Sequence, residues 1–369
     1  MTVSRIEDFA LERYFARFEF AVRHQLSASD VEPLTLREVL SFADEETEGQ
    51  WDQLVLGYTE SLGLPALRRE IARGYEHLEP AHVLVVAGEE GIFLAMHALL
   101  SPEDEVVVVT PAYQSLHAVP RSIGAHVREV TLRPERSWEL DPRDVERALT
   151  RRTRVIAINF PHNPTGAHIR REVQQRLVDI AESVGAVLLS DEVYRDLEYD
   201  ESHRLSAAAD LSTTAVSLGV MSKSFALAGL RIGWVATRNA ALLDRIARLK
   251  DYTTICSSAP SELLALIALR ARDRVLERSR SIVASNLHVA GEFMASHADE
   301  LEWVPPRAGS VAFPRFTRRD AGQMSRQLIE RESVLLLPGT VFGADAAHFR
   351  LGLGRRDFPL ALEKLGRLL

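Results

Sequence analysis

Runs rich in β-branched residues alternate with longer helical patterns through the middle of the chain. Such alternation is typical of an α/β fold with a mainly parallel central sheet. The runs at residues 106–109 and 187–189 are continuously apolar, which favours strands buried on both faces of the sheet. The pattern predicts seven strands, at residues 82–88, 105–110, 126–132, 154–160, 186–190, 213–219 and 232–237, with helices in most of the gaps.

The pattern changes near residue 275. A long helical stretch at 275–298 leads into short strands near VAFPRF, SVLLLPG and HFRLGLG, which indicates a smaller α+β domain. The first 45 residues contain no strong strand, and we expect an arm and a helix that pack beside this domain. The prediction is therefore a large domain at 46–274 and a small domain built from 275–369 and part of 1–45.

Composition and charge narrow the class of protein. The 369 residues include 44 basic and 52 acidic ones, which gives a net charge of −8. Residues of both signs are interspersed along the chain, and this distribution disfavours nucleic acid as a main partner. The opening MTVSRIEDFALERYF carries acids where a signal peptide needs an apolar core, and no run of about 20 apolar residues follows that could span a membrane. We expect a cytoplasmic protein with no membrane partner.

Cysteine and histidine do not indicate a metal site. The single Cys256 excludes an intramolecular disulfide, and we expect it to be a small buried or half-buried apolar residue. The 12 histidines show no HExxH or similar ligand spacing. The sequence therefore predicts no metal.

Chemically capable residues follow the predicted strands. In α/β proteins ligands bind beyond the carboxyl ends of the strands, so these positions are the first place to look for a site. The positions are Gly88-Glu89-Glu90, Pro111-Ala112-Tyr113, Asn163-Pro164-Thr165-Gly166, Asp191-Glu192-Val193-Tyr194 and Ser222-Lys223, running on to Arg231.

Lysine is rare in this chain, which contains only Lys223, Lys250 and Lys364. An amine forms an imine with an aldehyde and a guanidinium does not, so a lysine kept in an arginine-biased chain suggests such chemistry. Lys250 and Lys364 lie in amphipathic helical contexts, where we expect solvated or snorkelling side chains. Lys223 follows a strand and is the candidate reactive lysine.

The residues around Lys223 resemble a known family. The segment from Ser222-Lys223-Ser224-Phe225 to Gly229-Leu230-Arg231-Ile232-Gly233 resembles the SKxFxxxGxRxG signature of class I/II aminotransferases, which are pyridoxal-phosphate (PLP) enzymes of fold type I. The NPTG turn at 163–166, the DEVY segment at 191–194 and the arginine of Phe349-Arg350-Leu351 match in order and spacing. The resemblance runs from about residue 55 to 352, and it implies a large PLP-binding domain with a smaller α+β domain.

The resemblance implies roles around the cofactor ring. Lys223 would hold PLP as a Schiff base, and Asp191 would favour the protonated pyridine nitrogen. Asn163 and Tyr194 would donate hydrogen bonds to the 3′-oxygen, and Tyr113 would stack on the ring. Lys223, Asp191 and Tyr194 are the catalytic candidates.

The cofactor phosphate needs a helix N-terminus and a cation. By the same resemblance, Gly88-Glu89-Glu90 would bind it with backbone N–H groups, and Ser222 and Arg231 would complete the site. Tyr58 would reach the phosphate across a homodimer interface. Two positions depart from the family, which commonly has small or neutral residues where Glu89-Glu90 stand and often a serine where Val220 stands.

The substrate is expected to be an L-amino acid. Arg350 would bind its α-carboxylate through two parallel hydrogen bonds, with Asn163 assisting. The implied reaction is transamination, in which the amino acid displaces Lys223 by transimination and the freed amine removes the α-proton to give a quinonoid intermediate. A PLP scaffold of this type also hosts elimination, nucleophile addition and oxidation, so an amino-acid oxidase stays open.

A narrower resemblance adds a specific alternative. Five segments are similar to capreomycidine-synthase-like enzymes, which cyclise a hydroxylated arginine by PLP-dependent elimination and ring closure. They are Glu12-Arg13-Tyr14-Phe15, 111–116, 159–164, 250–254 and 313–317. An acid-lined pocket would suit the guanidinium of such a substrate, and Glu89, Glu90, Asp30 or Glu32 could supply it.

A non-enzymatic PLP-fold module is the remaining class. Its usual marker is a fused DNA-binding domain, and the 45-residue N-terminal segment is too short and too acidic to be one. We therefore expect an enzyme.

Overall fold

The structure is a computed structural model that describes residues 6–369, so the first five residues of the predicted arm lie outside it. The strands are β1 (His24–Gln25), β2 (Val83–Val86), β3 (Glu105–Thr110), β4 (His126–Thr131), β5 (Thr153–Asn159), β6 (Val187–Asp191), β7 (Ala215–Val220), β8 (Gly233–Ala236), β9 (Leu301–Glu302), β10 (Val311–Ala312), β11 (Arg315–Phe316), β12 (Val334–Leu335), β13 (Leu337–Pro338) and β14 (Phe349–Gly352).

The α-helices are α1 (Ala10–Phe18), α2 (Leu36–Leu40), α3 (Glu45–Asp52), α4 (Pro65–Ala72), α5 (Glu90–Leu99), α6 (Ser115–Ile123), α7 (Pro142–Ala148), α8 (Arg171–Val184), α9 (Ala208–Leu211), α10 (Ala240–Lys250), α11 (Ala259–Arg270), α12 (Arg272–Ser296), α13 (Ala321–Glu332) and α14 (Phe358–Gly366). Short 3₁₀ helices lie at Pro80–His82, Pro134–Arg136, Glu201–His203, Ala228–Leu230 and Gly339–Phe342. None of the helices described for residues 6–369 is long and apolar enough to cross a membrane.

Seven strands form the central sheet, in the spatial order β2-β8-β7-β6-β5-β3-β4. Each of them overlaps one of the seven predicted strands. Strand β8 is antiparallel to both of its neighbours, and the other neighbouring pairs are parallel. The predicted α/β fold with a mainly parallel sheet is therefore confirmed.

Alternate residues of the central strands face two different cores. On β3, Val107 and Val109 pack into the core that also contains residues of α7 and α8. Val106 and Val108 pack on the opposite face, with residues of α5, α6 and α10. Because both faces of the sheet are covered, every position of this strand is buried, which accounts for the continuous run of valines at 106–109.

The C-terminal part of the chain is built on short strands and the three helices α12, α13 and α14. β14 pairs with β10 and β13, and β9 pairs with β11. The N-terminal segment joins this part, because β1 pairs with β12 and Leu26 packs in the same core as Phe349 and Phe358. Helix α12 begins at Arg272, so the predicted domain boundary near residue 275 falls in its first turn.

The turn after β5 positions an asparagine at the edge of the sheet. Oδ1 of Asn159, the last residue of β5, accepts a 2.8 Å hydrogen bond from the backbone N–H of Asn163. The turn ends at Gly166, which has a φ of +67° and where a Cβ would lie 2.4 Å from the carbonyl oxygen of Val311. Only glycine fits there, so the turn and the position of Asn163 depend on it.

Candidate active site

A cavity of about 350 Å³ lies at the carboxyl ends of the sheet strands. It is bounded by the sheet, by α1 and by the segment 28–30 that follows β1. Its charged and polar lining residues are Glu12, Glu19, Ser29, Asp30, Glu89, Tyr113, Asn159, Asn163, Asp191, Tyr194, Ser222, Lys223, Arg231 and Arg350. Most of the residues predicted for the site therefore meet in one cavity.

Lys223 lies three residues beyond the end of β7. Its Nζ donates a 2.8 Å hydrogen bond to Oγ of Ser29 and lies 5.8 Å from the centroid of the Tyr194 ring. Ser29 was not predicted, since nothing in the sequence around it indicates that the N-terminal segment reaches the end of β7. The lysine amine is thus held inside the cavity by a single neutral partner among the described residues.

Asp191 is the last residue of β6 and lies beside the last residue of β5. Its carbonyl oxygen accepts a 2.9 Å hydrogen bond from Nδ2 of Asn159, and its Oδ1 accepts one of 3.2 Å from the backbone N–H of Val193. Burial raises the pKa of Asp191 to about 7, although the Val193 hydrogen bond and the Lys223 charge lower it. A buried carboxyl with no cation bound to it is a ready partner for a positively charged ring nitrogen.

Tyr194 carries a buried hydroxyl without a partner. The residue is 1% exposed, and its Oη makes no hydrogen bond in the described structure. Because Tyr194 lines the cavity and a buried hydroxyl costs free energy when it is unpaired, the cavity is built to receive a polar group there.

Arg350 lies on β14 and is 1% exposed. Nη1 donates a 3.1 Å hydrogen bond to Oδ1 of Asn163, while Nε and Nη2 donate to the carbonyl oxygen of Ser27 at 3.2 and 2.7 Å. Burial lowers the pKa of Arg350, and the nearby acids, including Asp30 and Glu12, oppose that effect. No carboxylate forms an ion pair with this guanidinium among the described residues, so it can bind an anion.

Gly88, Ser222 and Arg231, which the sequence suggests as an anion site, all line the cavity. Arg231 adopts a left-handed conformation with a φ of 55°, which is uncommon for a non-glycine residue and is found at sites where the surroundings impose it. Its Nη1 donates only to the carbonyl oxygen of Ala228. The guanidinium therefore keeps donors available for an anion.

Glu89 and Glu90 face different surroundings. Glu89 lines the cavity, and burial raises its pKa to about 8, with Asp191 and Glu12 adding to the rise. The carboxylate of Glu90 instead accepts hydrogen bonds from the backbone N–H of Ala87 and from both Thr253 and Thr254. The side chain of Glu90 therefore does not line this cavity.

Tyr113 lies between aromatic and acidic neighbours. Its ring is 5.0 Å from that of Phe9, and its hydroxyl donates a 3.2 Å hydrogen bond to Oε1 of Glu12. Burial raises the pKa of Tyr113, and Glu89 and Glu12 add to the rise, so the hydroxyl keeps its proton. The ring lines the cavity, where a flat cofactor ring can pack against it.

Of the acids considered for a guanidinium pocket, Asp30 and Glu89 line the cavity, whereas Glu32 and Glu90 do not. The structure adds Glu12 and Glu19 from the N-terminal arm. One signal in the sequence indicates the first of these, the ERYF segment at 12–15, but periodicity alone does not show where the arm lies.

Tyr58 and Lys250 do not line the cavity. Tyr58 is 92% exposed on the surface of the single chain. The expectation that Lys250 is solvated or snorkelling is wrong, because the residue is buried and its Nζ donates to the carbonyl oxygens of Ser61 and Ile255 at 2.7 and 3.0 Å. These carbonyl groups come from loops that the helical pattern of the lysine's own segment does not reveal.

Known proteins that are similar in sequence and structure include aminotransferases, which is consistent with the geometry of this site. The model of the family "Aminotransferase class I and II" matches residues 26–357. A PLP-dependent aminotransferase from Streptococcus suis has a TM-score of 0.93 and 28% sequence identity, with 99% of this chain and 98% of that chain covered. The PLP-dependent cyclase OrfR has a TM-score of 0.90 and 31% identity, with 99% and 97% covered.

Two proteins that are similar to this chain in sequence are a synthase and a transaminase. Capreomycidine synthase from Streptomyces vinaceus is 34% identical over 352 residues, which cover 94% of this chain and 88% of the relative. An arginine–pyruvate transaminase from Pseudomonas aeruginosa is 32% identical over 322 residues, covering 84% and 81%.

The chain belongs to the class I and II aminotransferase family and has the fold of fold type I PLP enzymes. It is an enzyme of this family, and its cofactor is PLP. The buried, unpaired hydroxyl of Tyr194 and the buried carboxyl of Asp191, which has no bound cation, are features that fit this cofactor.

Proposed function

We propose that this enzyme transfers the amino group of an L-amino acid, with Lys223 as the residue that holds PLP and moves the proton. The observation that carries the proposal is the convergence of Lys223, Asp191 and Arg350 on one cavity at the carboxyl ends of the strands. This chemistry needs three groups from the protein: an amine, a buried carboxyl and a guanidinium that forms no ion pair among the described residues.

When bound, PLP supplies an electron-withdrawing ring that stabilises negative charge at the substrate α-carbon. Asp191 would hold the ring nitrogen in its charged form, and Tyr113 would lie against the ring face. Asn163 and Tyr194 would donate to the 3′-oxygen. Gly88, Ser222 and Arg231 would hold the phosphate with the backbone N–H of Glu89, while Glu90 would contribute through the backbone that starts α5.

Arg350 would orient the substrate. Its Nη1 is 3.1 Å from Asn163 Oδ1, so a carboxylate bound to the guanidinium lies beside the asparagine. Orientation by two parallel hydrogen bonds fixes the α-carbon relative to the amine of Lys223. Lys223 would then remove the α-proton as general base and return it as general acid.

We further propose a homodimer in which Tyr58 reaches the partner's site. Val55, Leu56, Tyr58 and Tyr252 are 79%, 81%, 92% and 90% exposed, and a partner chain that covered them would bury this apolar surface. The proposal also includes a large domain at 46–274 and a small domain built from 275–369 with part of 1–45. A cytoplasmic location is compatible with the single Cys256, which forms no disulfide.

A second candidate is cyclisation of a hydroxyarginine. It is favoured by 34% identity to a capreomycidine synthase over 94% of the chain and by the acids that line the cavity. In that reaction the substrate loses its α-proton and its hydroxyl as water. A guanidine nitrogen then gives up a proton and forms a bond to the carbon that carried the hydroxyl, while the α-carbon takes a proton back. No amino-group acceptor is consumed.

Purified protein incubated with a panel of amino acids, with and without a keto-acid acceptor, tests both candidates by mass spectrometry. The panel includes arginine and hydroxyarginines. Keto-acid formation that depends on the acceptor supports transamination, whereas acceptor-independent loss of water from a hydroxyarginine supports the cyclase. Hydrogen peroxide would indicate an oxidase, and turnover by Lys223→Ala protein at the wild-type rate would contradict the role of Lys223.

A further inference from the structure

The candidate cavity is lined by two acids that the proposed function does not use. Its charged lining residues comprise five acids and three bases: Glu12, Glu19, Asp30, Glu89 and Asp191 against Lys223, Arg231 and Arg350. Unpaired charge of one sign in a partly closed cavity is unfavourable unless a ligand supplies the other sign.

The proposed function uses some of these charges. Asp191 would face the cofactor ring, and Arg231 and Arg350 would face the phosphate and the substrate carboxylate. Asp30 is already paired, because both of its carboxylate oxygens accept from Nη2 of Arg355, at 2.9 and 3.1 Å. Glu89 has a pKa of about 8 and is uncharged near neutral pH. Glu12 and Glu19 are the acids that remain without an assigned role.

Both of these acids belong to the same face of the N-terminal arm. Glu12 is in α1 and Glu19 is its C-terminal cap, in helical conformation, so the two are about 10 Å apart along the axis, with Phe15 between them. Neither forms an ion pair within residues 6–369, and only one oxygen of the Glu12 carboxylate has a partner, the hydroxyl of Tyr113. Burial raises the pKa of Glu19, and the neighbouring acids Asp30 and Glu12 add to the rise, whereas Arg355 and Lys223 oppose it.

The same cavity shows independently that it is built for a ligand. The hydroxyl of Tyr194 is buried and unpaired, and it lines the cavity together with both acids. An arm that places two carboxylates and an aromatic ring at such a cavity offers the groups that bind a planar cation, by paired hydrogen bonds and by stacking.

We propose that Glu12 and Glu19 are specificity-determining residues, which select a substrate whose side chain carries a cation of guanidinium type. The proposal rests on the proposed function, because it takes Arg350 as the site of the substrate carboxylate. It applies whether the bound amino acid then loses its amino group or cyclises, since both outcomes use the same bound substrate.

The test compares ligands that differ only in charge. 5-Guanidinopentanoate and 5-ureidopentanoate have the same length and shape and a carboxylate for Arg350, but they lack the amine and so cannot react. Calorimetric titration of the PLP-loaded protein should give a dissociation constant about ten-fold lower for the guanidino compound. Glu12→Gln and Glu19→Gln should each reduce this ratio, and the double variant should bring it close to one while leaving the affinity for the ureido compound within about two-fold.

Two variants separate selectivity from a structural role. Tyr113→Phe removes the hydrogen bond to Glu12 and keeps the carboxylate, so the ratio should be retained. Glu330→Gln, at an exposed acid of α13, removes a negative charge that does not line the cavity and should not change the ratio. Equal binding of both compounds by wild-type protein would overturn the proposal, and so would a ratio that Tyr113→Phe reduces as much as Glu12→Gln.

Kinetics of arginine and its neutral isostere citrulline distinguish this proposal from the proposed function. If both are turned over at equal kcat/KM, the proposed function stands and the role of the two acids fails. If neither these nor any other amino acid is turned over while the guanidino compound still binds more tightly, the acids select a cation and the proposed reaction fails.

Discussion

Arg350 Nη1 donates a 3.1 Å hydrogen bond to Oδ1 of Asn163, which joins residues 187 positions apart in the chain. The arginine comes from β14 and the asparagine from the turn after β5, so the contact connects the C-terminal strands to the central sheet. A carboxylate bound here is held between both parts of the molecule.

Replacing Arg350 by lysine should weaken substrate binding. Lysine keeps the positive charge but cannot form two parallel hydrogen bonds, so we expect kcat/KM to fall about 10- to 100-fold, mainly through KM. Steady-state kinetics with the best amino acid of the panel measures this. An unchanged KM, with kcat alone reduced, would contradict a carboxylate-binding role.

The pKa values of Asp191 and Glu89 predict how the cofactor-free protein responds to pH. Burial holds the pKa of Asp191 at about 7 and that of Glu89 at about 8, above their ordinary values near 4. The folded state thus binds protons that the unfolded state has released, and these groups cause stability to fall as the pH rises from about 4 to 8. Thermal unfolding of the apoprotein across this range should show that decrease.

Asp191→Asn and Glu89→Gln should each flatten that pH dependence, because an amide does not ionise. The double variant should be flatter than either single variant. The control is Glu330→Gln, which changes an exposed acid and should leave the pH profile as in the wild type. A profile that is equally steep in the double variant and in the wild type would show that other groups cause it.

Lys250 should matter for stability. Its Nζ is the donor to the carbonyl oxygens of Ser61 and Ile255, and Lys250→Met would leave both without this partner. We expect a loss of about 1–3 kcal/mol in the free energy of unfolding, measured by chemical denaturation. Arg248→Met, which removes an exposed ion pair to Asp244 on the same helix, should cost less than about 1 kcal/mol. Equal losses would contradict the structural role of Lys250.

Tyr58 can be tested by mixing two inactive variants. If Tyr58 acts in the partner's site, a hybrid dimer of Tyr58→Ala and Lys223→Ala chains contains one intact site. Refolding the two variants together at equal amounts should restore about a quarter of wild-type activity, because half of the dimers are hybrids and each has one working site. No recovery, with dimers confirmed by sedimentation, would place Tyr58 in its own chain's site or outside any site.

The sheet and most of the site could be predicted from the sequence because both depend on local patterns. Strands such as β3 are covered on both faces and so have an apolar centre, and residues such as Asp191 stand at a strand end. Lys250 shows the limit of this reasoning. An amphipathic helix was read correctly, but the partners of its amine come from loops that no periodicity identifies.

The N-terminal arm was the least predictable part. Its helix lies beside the cavity because of distant contacts, including the hydrogen bond between the Tyr14 hydroxyl and Oγ of Ser325 at 2.5 Å. Glu12 and Glu19 reach the cavity only through such contacts, and Ser29 meets Lys223 in the same way. Tertiary packing of this kind leaves no repeated pattern in the segment that it positions.

The central claim is that Lys223 is the lysine that holds PLP. Borohydride reduction of the PLP-loaded protein, followed by digestion and mass spectrometry, tests it directly, since the chain offers only Lys223, Lys250 and Lys364 as side-chain amines. We predict a phosphopyridoxyl group on the peptide that contains Lys223, near one per chain, and none in Lys223→Ala protein. A label on Lys250 or Lys364, or an unlabelled Lys223 in protein that retains activity, would contradict the account.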